Sequence, residues 1–237
     1  MVPLFYVMTD NEKDLFILRE FYKIITPSKQ FMFDSIAALR TRHLTVVLEN
    51  VYQEHNASAI LRTCDCFGIQ ELHVIEKNNQ YKVQRDIALG AGRWVDMYNF
   101  DTGESPTTEC LQKLKNKGYK IIATSPHTEE ETINTLELDQ PVALVFGTER
   151  QGISEEVKSN ADGFVRIPMY GFTESFNVSV SVAITLNTLR QRLEESQIDW
   201  KLNFDEQTRL KLKWCRKITR EGALLEEELR RRLFPKE

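Results

Sequence analysis

The chain has 237 residues, 41% hydrophobic and 28% charged, with a formal net charge of −4; this fits one full globular core with decorated ends and excludes a disordered, fibrous or disulfide-built protein. No apolar run approaches the roughly 20 residues of a membrane span, and the apolar start MVPLFYVMTDNEKD lacks the basic region and small-residue cleavage site of a signal peptide, so the expected location is cytoplasmic. Cys64, Cys66, Cys110 and Cys215 form no CxxC pair and no cluster with histidines, so neither a zinc site nor a disulfide framework is expected.

Residues 1–43 read as an N-terminal helical extension in two pieces. The first is Leu15 to Ile25, closed by Thr26-Pro27; the second runs from Ser28 as N-cap to about Arg42. From Leu44 short β-branched runs alternate with helical stretches (LTVVLEN, ASAILRTCDCFG, ELHVIE), the rhythm of an α/β unit with a parallel sheet, and Gly68 supplies a helix stop. A strand follows near Trp94 to Tyr98, then a helix from Pro106 to Lys117 stopped by Gly118, then a strand from Tyr119 to Thr124. PVALVFG is a continuous apolar run bounded by Pro141 and Gly147, as a strand buried on both faces requires, so it belongs at the centre of the sheet. After Ser154 a short helix opens on Glu155 and Glu156, whose charges suit a helix N-terminus, and the strand GFVRIP follows. In NVSVSVAITL the alternation has period two, which reads as a strand, yet Val178, Val182, Leu186 and Leu189 also share one helical face. Residues 196–237 form a C-terminal extension of two further helices carrying Arg209, Lys211, Lys213, Arg216, Lys217 and Arg220 on a basic face. The GxGxxG and GxxxxGK[ST] phosphate-binding patterns are absent, which counts against a nicotinamide dehydrogenase or an NTPase.

Three stretches carry chemistry. In HNASAILRTCDCFG, Asn56 fits an N-cap and Ala57, Ile60, Leu61, Cys64 and Phe67 form an apolar stripe; Arg62 lies on the opposite side with Ser58 and Asp65, either facing a ligand or paired with Asp65 three residues on. In LVFGTERQGIS a buried strand runs into a glycine-rich loop, the place where ligands gather in open α/β sheets, although a plain surface turn would look the same. In IPMYGFTESFNVSVS, Ser175 and Asn177 stand at a helix start, where capping alone would account for them.

In this order and spacing the three stretches resemble the motifs of the SPOUT 2'-O-methyltransferases over residues 44–190. Asn56 and Arg62 match the first motif, Gly147, Glu149 and Gly152 the second, and Ser175 and Asn177 the third. Phe176 departs from the pattern, where leucine is common. The helical ends look like those of the tRNA guanosine-18 enzymes of this family. The resemblance favours a helix for NVSVSVAITL. It implies an α/β SPOUT fold over 44–195, with a parallel central sheet, a C-terminal trefoil knot over about 141–190, flanking helices at both ends and a homodimer. It also implies transfer of a methyl group from S-adenosyl-L-methionine to a ribose 2'-hydroxyl of RNA, with guanosine 18 of tRNA as target; ribosomal RNA, or RNA binding without catalysis, are the alternatives. No metal is expected. Arg62, Asn56, Glu149, Ser175 and Asn177 are then the catalytic set, with Glu149 a charge partner for an arginine. Arg62 would act as donor and charge stabiliser, since a guanidinium with pKa above about 12 is a poor base. Thr124, Gly147, Gly152, Ile167, Met169 and Phe176 would line the cofactor pocket. His55, Arg62, Arg216 and Lys217 would contact RNA, His55 being otherwise an ordinary surface residue and the basic tail otherwise a solvated helix face.

Overall fold

The computed structural model describes residues 8–51, 53–76, 82–84, 88–148 and 151–235. Among these the elements run, in order, α1 (Asp10–Ile24), α2 (Pro27–Ala37), β1 (Leu44–Glu49), α3 (Glu54–Cys66), β2 (Glu71–Ile75), β3 (Asp96–Phe100), α4 (Pro106–Asn116) and β4 (Lys120–Thr124). They continue with β5 (Glu131–Thr132), β6 (Val142–Phe146), α5 (Glu155–Asn160), β7 (Gly163–Arg166), α6 (Val178–Glu195), α7 (Phe204–Ile218) and α8 (Gly222–Leu233). The chain divides into two compact units: the described residues up to Arg40 together with those from Lys201 on, and Thr41–Trp200.

The helical unit is built from caps and an aromatic centre. Thr9 and Glu12 form a reciprocal capping box at the start of α1. Thr26, not Ser28, caps α2: its side chain accepts from Lys29 N, and Pro27 occupies the first helical position, where a missing N–H costs nothing. That helix ends at Ala37, short of the expected Arg42, through tight bonds from Leu39 N to Ile36 O and Arg40 N to Ala37 O. Ile17, Leu18 and Phe21 of α1 and Leu210, Leu212 and Trp214 of α7 are buried, and the Phe33 ring tilts against Trp214 at 5.3 Å.

In the other unit all seven strands are parallel, in the order β3-β2-β1-β6-β4-β7-β5. β6 takes the central place, as its unbroken apolar run demands, and all five of its residues are buried. Val142, Leu144 and Phe146 face a core shared with Ile60, Leu61 and Cys64 of α3 and Val182, Leu186 and Leu189 of α6. Ala143 and Val145 face Leu111 and Leu114 of α4 and Val157 of α5. Helices therefore cover both faces, and each fully buried Val or Leu contributes roughly 1.5–3 kcal/mol to this packing. β3 starts at Asp96 rather than Trp94, whose N–H instead closes a turn onto Ala91 O.

The period-two stretch is helical: α6 runs for 18 residues and buries Val178, Val182, Leu186, Leu189 and Leu193 along one stripe. Between them Val180 is exposed and Ser179 and Ser181 are half-buried, so the alternation does not mark two faces of a strand. From β7, past β4 in the sheet, the chain returns along α6 to pack against α3. This return brings the first and third sequence motifs together.

Candidate cofactor pocket and active site

The pocket forms where strands β4, β6 and β7 end at the same edge of the sheet. Residue Gly147 leaves β6 and the chain doubles back at once: Thr148 and Gly152 exchange backbone hydrogen bonds, N to O at 3.1 and 2.9 Å. Both glycines are required by this turn. A Cβ on Gly147 would lie 2.1 Å from Gly152 O, and Gly152 has φ +65°, a region that side chains disfavour. Glu149 and Arg150 lie outside the described residues.

Below this turn is a cavity of about 330 Å³, at the lower end of the usual range for ligand sites. Its walls include Thr124, Phe146, Gly147, Gly152, Ser175 and Phe176. A smaller lobe of about 70 Å³ adjoins it, sharing Thr124, Ser175 and Phe176 and adding Ile167 and Met169. All six residues expected to hold the cofactor, together with Ser175, therefore meet around one two-lobed space. Apolar faces from Phe146, Ile153, Phe176 and Val178 offer a slot for a flat ring, the exposed backbone at the glycines offers hydrogen-bonding groups, and Glu174 brings a carboxylate to the wall. Lys158 on the same wall pairs with Glu155 at 2.6 Å, which leaves the Glu174 carboxylate to meet a cationic nucleoside.

Glu49, at the end of β1, holds the turn in place. Its carboxylate is 3% exposed and accepts from Ser154 N (2.9 Å), Ser154 Oγ (2.6 Å) and Thr107 Oγ1 (3.3 Å). It thus sits between the first turns of α4 and α5, whose unpaired amides favour a negative charge. Ser154 itself caps α5 by accepting from Val157 N. Across the same gap Glu156 accepts from Ser105 Oγ, Thr108 N and Thr108 Oγ1. By its residue pattern alone LTVVLEN is a plain strand. The signal that pattern passes over is a carboxylate closing an otherwise apolar run, which burial tolerates only when fully hydrogen-bonded.

The first motif is arranged differently from expectation. Asn56 is not an N-cap: Gln53 holds that position, without a side-chain bond, and Asn56 lies inside α3. There it is 3% exposed and donates to Gln53 Oε1 at 2.8 Å, while its Oδ1 accepts from Asn177 Nδ2 at 3.1 Å. Asn177 does cap its helix, accepting from Ser179 N at 2.9 Å. Ser58, expected on the open side with Arg62, is instead buried, donating to Glu54 O and accepting from Gln84 N. Arg62 is exposed, and among the described residues no hydrogen bond or ion pair engages it. It stands six residues along α3 from Asn56, about 9 Å of helix, and does not line either lobe of its own chain's pocket.

His55 is exposed beside Asn56. In the helical unit much of the basic face is already engaged: Arg209 donates to Asn11, Lys211 pairs with Asp34 at 2.7 Å and Arg216 with Glu226 at 3.2 Å. Lys217 and Arg220 are exposed near the end of α7.

Comparison with known proteins places these features in a family. The model of the SpoU rRNA Methylase family matches residues 43–187. The chain is 39% identical to the tRNA (guanosine(18)-2'-O)-methyltransferase of Borreliella burgdorferi over 204 residues, 86% of this chain and 92% of that protein. The crystal structure of the TrmH/SpoU tRNA modifying enzyme of A. aeolicus is similar with a TM-score of 0.71 and 31% identity, covering 81% of this chain and 98% of that one. In fold alone the chain also matches AviRb from Streptomyces viridochromogenes, solved in complex with the cofactor AdoMet, at a TM-score of 0.55 and 17% identity over 69% of this chain and 62% of that one.

Proposed function

We propose, from the premise that this chain belongs to the SpoU rRNA methylase family, that it transfers a methyl group from S-adenosyl-L-methionine to the ribose 2'-hydroxyl of guanosine 18 in tRNA. The observation that carries this reading is the joining of the second and third motifs around one two-lobed pocket, in a chain that shares 39% identity with a guanosine-18 enzyme along most of its length.

When bound, S-adenosylmethionine supplies a methyl group already made electrophilic by its sulfonium charge. The protein's task is then to hold donor and hydroxyl in line and to stabilise the oxyanion as it forms. Phe146, Ile153, Phe176 and Val178 would exclude water around the cofactor, the backbone near Gly147, Gly152 and Ile167 would hydrogen-bond it, and the Glu174 carboxylate would balance its positive charge. Arg62 donates to the ribose oxygen and bears its developing charge. The Asn56–Asn177 bond fixes the start of α3 against the start of α6, and Ser175 on the pocket wall positions the nucleotide, a role that the motif resemblance extends to Glu149.

Because Arg62 stands outside the pocket of its own chain, the active assembly is a homodimer in which α3 of one protomer reaches the pocket of its partner. His55, Arg216, Lys217 and Arg220 neutralise RNA phosphates, although Glu226 already meets part of the charge of Arg216. The trefoil threading expected for residues 141–190 is the chain path proposed for the pocket segment; the placing of β6 between β1 and β4 and the return of α6 to α3 support it.

The test is incubation with labelled S-adenosylmethionine and separate tRNA and ribosomal RNA transcripts, followed by mass mapping. A 2'-O-methyl group at guanosine 18 is expected. Label on ribosomal RNA alone would replace the target, and no binding of S-adenosylhomocysteine by calorimetry would remove the reaction.

A further inference from the structure

Between β7 and α6 the chain crosses the pocket mouth as a loop whose two ends and middle behave differently. The ends are walls: Ile167 and Met169 on one side, Glu174, Ser175 and Phe176 on the other. The middle stands clear. Tyr170 and Phe172 are 97% and 109% exposed, Gly171 between them has open space around its missing Cβ, and among the described residues nothing engages the Tyr170 hydroxyl. Two whole aromatic rings in water forgo the burial that usually places such side chains in a core or an interface. Here each ring is one or two residues from a side chain lining the pocket, at most about 7 Å of chain.

We propose that Tyr170 and Phe172 form a stacking platform for unpaired bases of the RNA substrate beside the methyl-transfer site. This rests on the function proposed above. A ribose whose 2'-hydroxyl reaches into the pocket must bring its base, or a neighbouring one, past this loop. Single-stranded RNA loops are recognised through bases splayed onto aromatic side chains, and every base offers a flat face for such contact. The second protomer of the proposed dimer approaches through α3, and a further protein is the weaker occupant of the loop. The rings are separated by Gly171 and followed by Thr173 and Glu174, whereas a stable protein interface needs a continuous patch of about 800 Å² per partner with an apolar centre. Stacking also fits a chain of net charge −4, because it adds affinity for RNA without cations.

The experiment compares wild type with Tyr170→Ala, Phe172→Ala, the double variant and the conservative pair Tyr170→Phe and Phe172→Tyr. It reads S-adenosylhomocysteine affinity, oligomeric mass by light scattering, KM for tRNA, and the salt dependence of RNA affinity. Each alanine is expected to raise KM for tRNA about tenfold, and the pair about a hundredfold, with cofactor affinity and mass unchanged. The slope of log affinity against log salt should also stay fixed, since no phosphate contact is lost. The aromatic exchanges should stay within about twofold of wild type, as rings rather than hydroxyls carry the contact. An unchanged KM overturns the platform, as does a fall in mass, which would make the loop a subunit contact, or a loss of cofactor affinity, which would make it pocket wall only. Wild-type protein that binds no S-adenosylhomocysteine and methylates no RNA overturns the reaction itself, and the platform with it; active wild type with indifferent variants overturns the platform alone.

Discussion

The pocket and the face of α3 that carries Arg62 are built on opposite terms. Around the pocket the chain is over-determined: Thr148 and Gly152 are held backbone to backbone, Glu49 ties the turn's exit to two helices, and all six residues expected at the cofactor line one space within one protomer. Arg62 is exposed and unengaged among the described residues. A guanidinium that made its partners in the resting protein would have to break them to serve a substrate oxygen. On the proposed function, holding the methyl donor is thus a property of one chain, and acting on the acceptor depends on what arrives, RNA or a second protomer. Arg62→Ala should therefore lower kcat by roughly 10²–10³-fold, the usual cost of removing one donor to a developing oxyanion, and leave S-adenosylhomocysteine affinity within twofold by calorimetry. A matching loss of cofactor affinity would erase the contrast. Mixing sharpens it: a heterodimer of Arg62→Ala and Gly147→Ala chains should recover activity at one of its two sites if the arginine acts across the interface, and none if it acts within its own chain.

Gly147→Ala attacks the other side. Its Cβ would meet Gly152 O at 2.1 Å, Gly152 C at 2.2 Å and Ile153 N at 2.5 Å. All three are backbone atoms, so the turn must open rather than a side chain swing away. Cofactor affinity should fall by about a hundredfold, equivalent to roughly 2.7 kcal/mol, while Arg62 is untouched. A fully folded variant with wild-type affinity would show that the turn is not what shapes the pocket.

A charge cluster on β2 and β3 offers a control, because it supports the sheet but neither side of the contrast. Burial by itself raises the pKa of Glu71. His73, whose Nε2 lies 3.5 Å from the carboxylate, together with the cations Lys117 and Arg42 outweighs that and brings it down to about 2. A carboxylate held lower in the folded state than in the unfolded chain stabilises the fold above its unfolded pKa of about 4.5, and that stability is lost as pH falls toward 2. The loss should be on the order of 3 kcal/mol, seen as a falling urea midpoint between pH 5 and pH 2. Glu71→Gln should flatten that slope and leave both cofactor affinity and kcat at neutral pH unchanged.

What could be read from the sequence follows the same division. β6 declared itself as a buried central strand because Pro141 and Gly147 bracket five apolar residues, and the pocket residues lay at strand ends that any parallel sheet aligns. Asn56 could not be placed correctly. A short polar residue just before an apolar stripe has the pattern of an N-cap, and only the arrival of Asn177, 121 residues later in the chain, explains why it is buried inside the helix. Glu49 was hidden for the same reason, since its partner Ser154 is 105 residues away. Side chains whose role is to join distant segments leave no local period to detect. The strand-like alternation of NVSVSVAITL is the opposite case, in which a local period existed and tertiary packing of α6 on α3 overruled it.

The smallest predicted effect probes a polar link between the two regions. Asn177 Oδ1 caps α6 through Ser179, while its Nδ2 donates to Asn56, so one side chain serves both helix stability and the register of α3. Asn177→Ala removes both and should cost about 1 kcal/mol, with a few-fold loss of kcat as the α3 face shifts relative to the pocket. Asn177→Asp keeps the acceptor for Ser179 but has no proton to donate to Asn56, so it should retain most of the stability and still lose the same few-fold in kcat. If the two properties instead move together in both variants, Asn177 is a cap and nothing more, and α3 takes its position from the apolar packing of Ile60 and Leu61 against α6 without help from the motif asparagines.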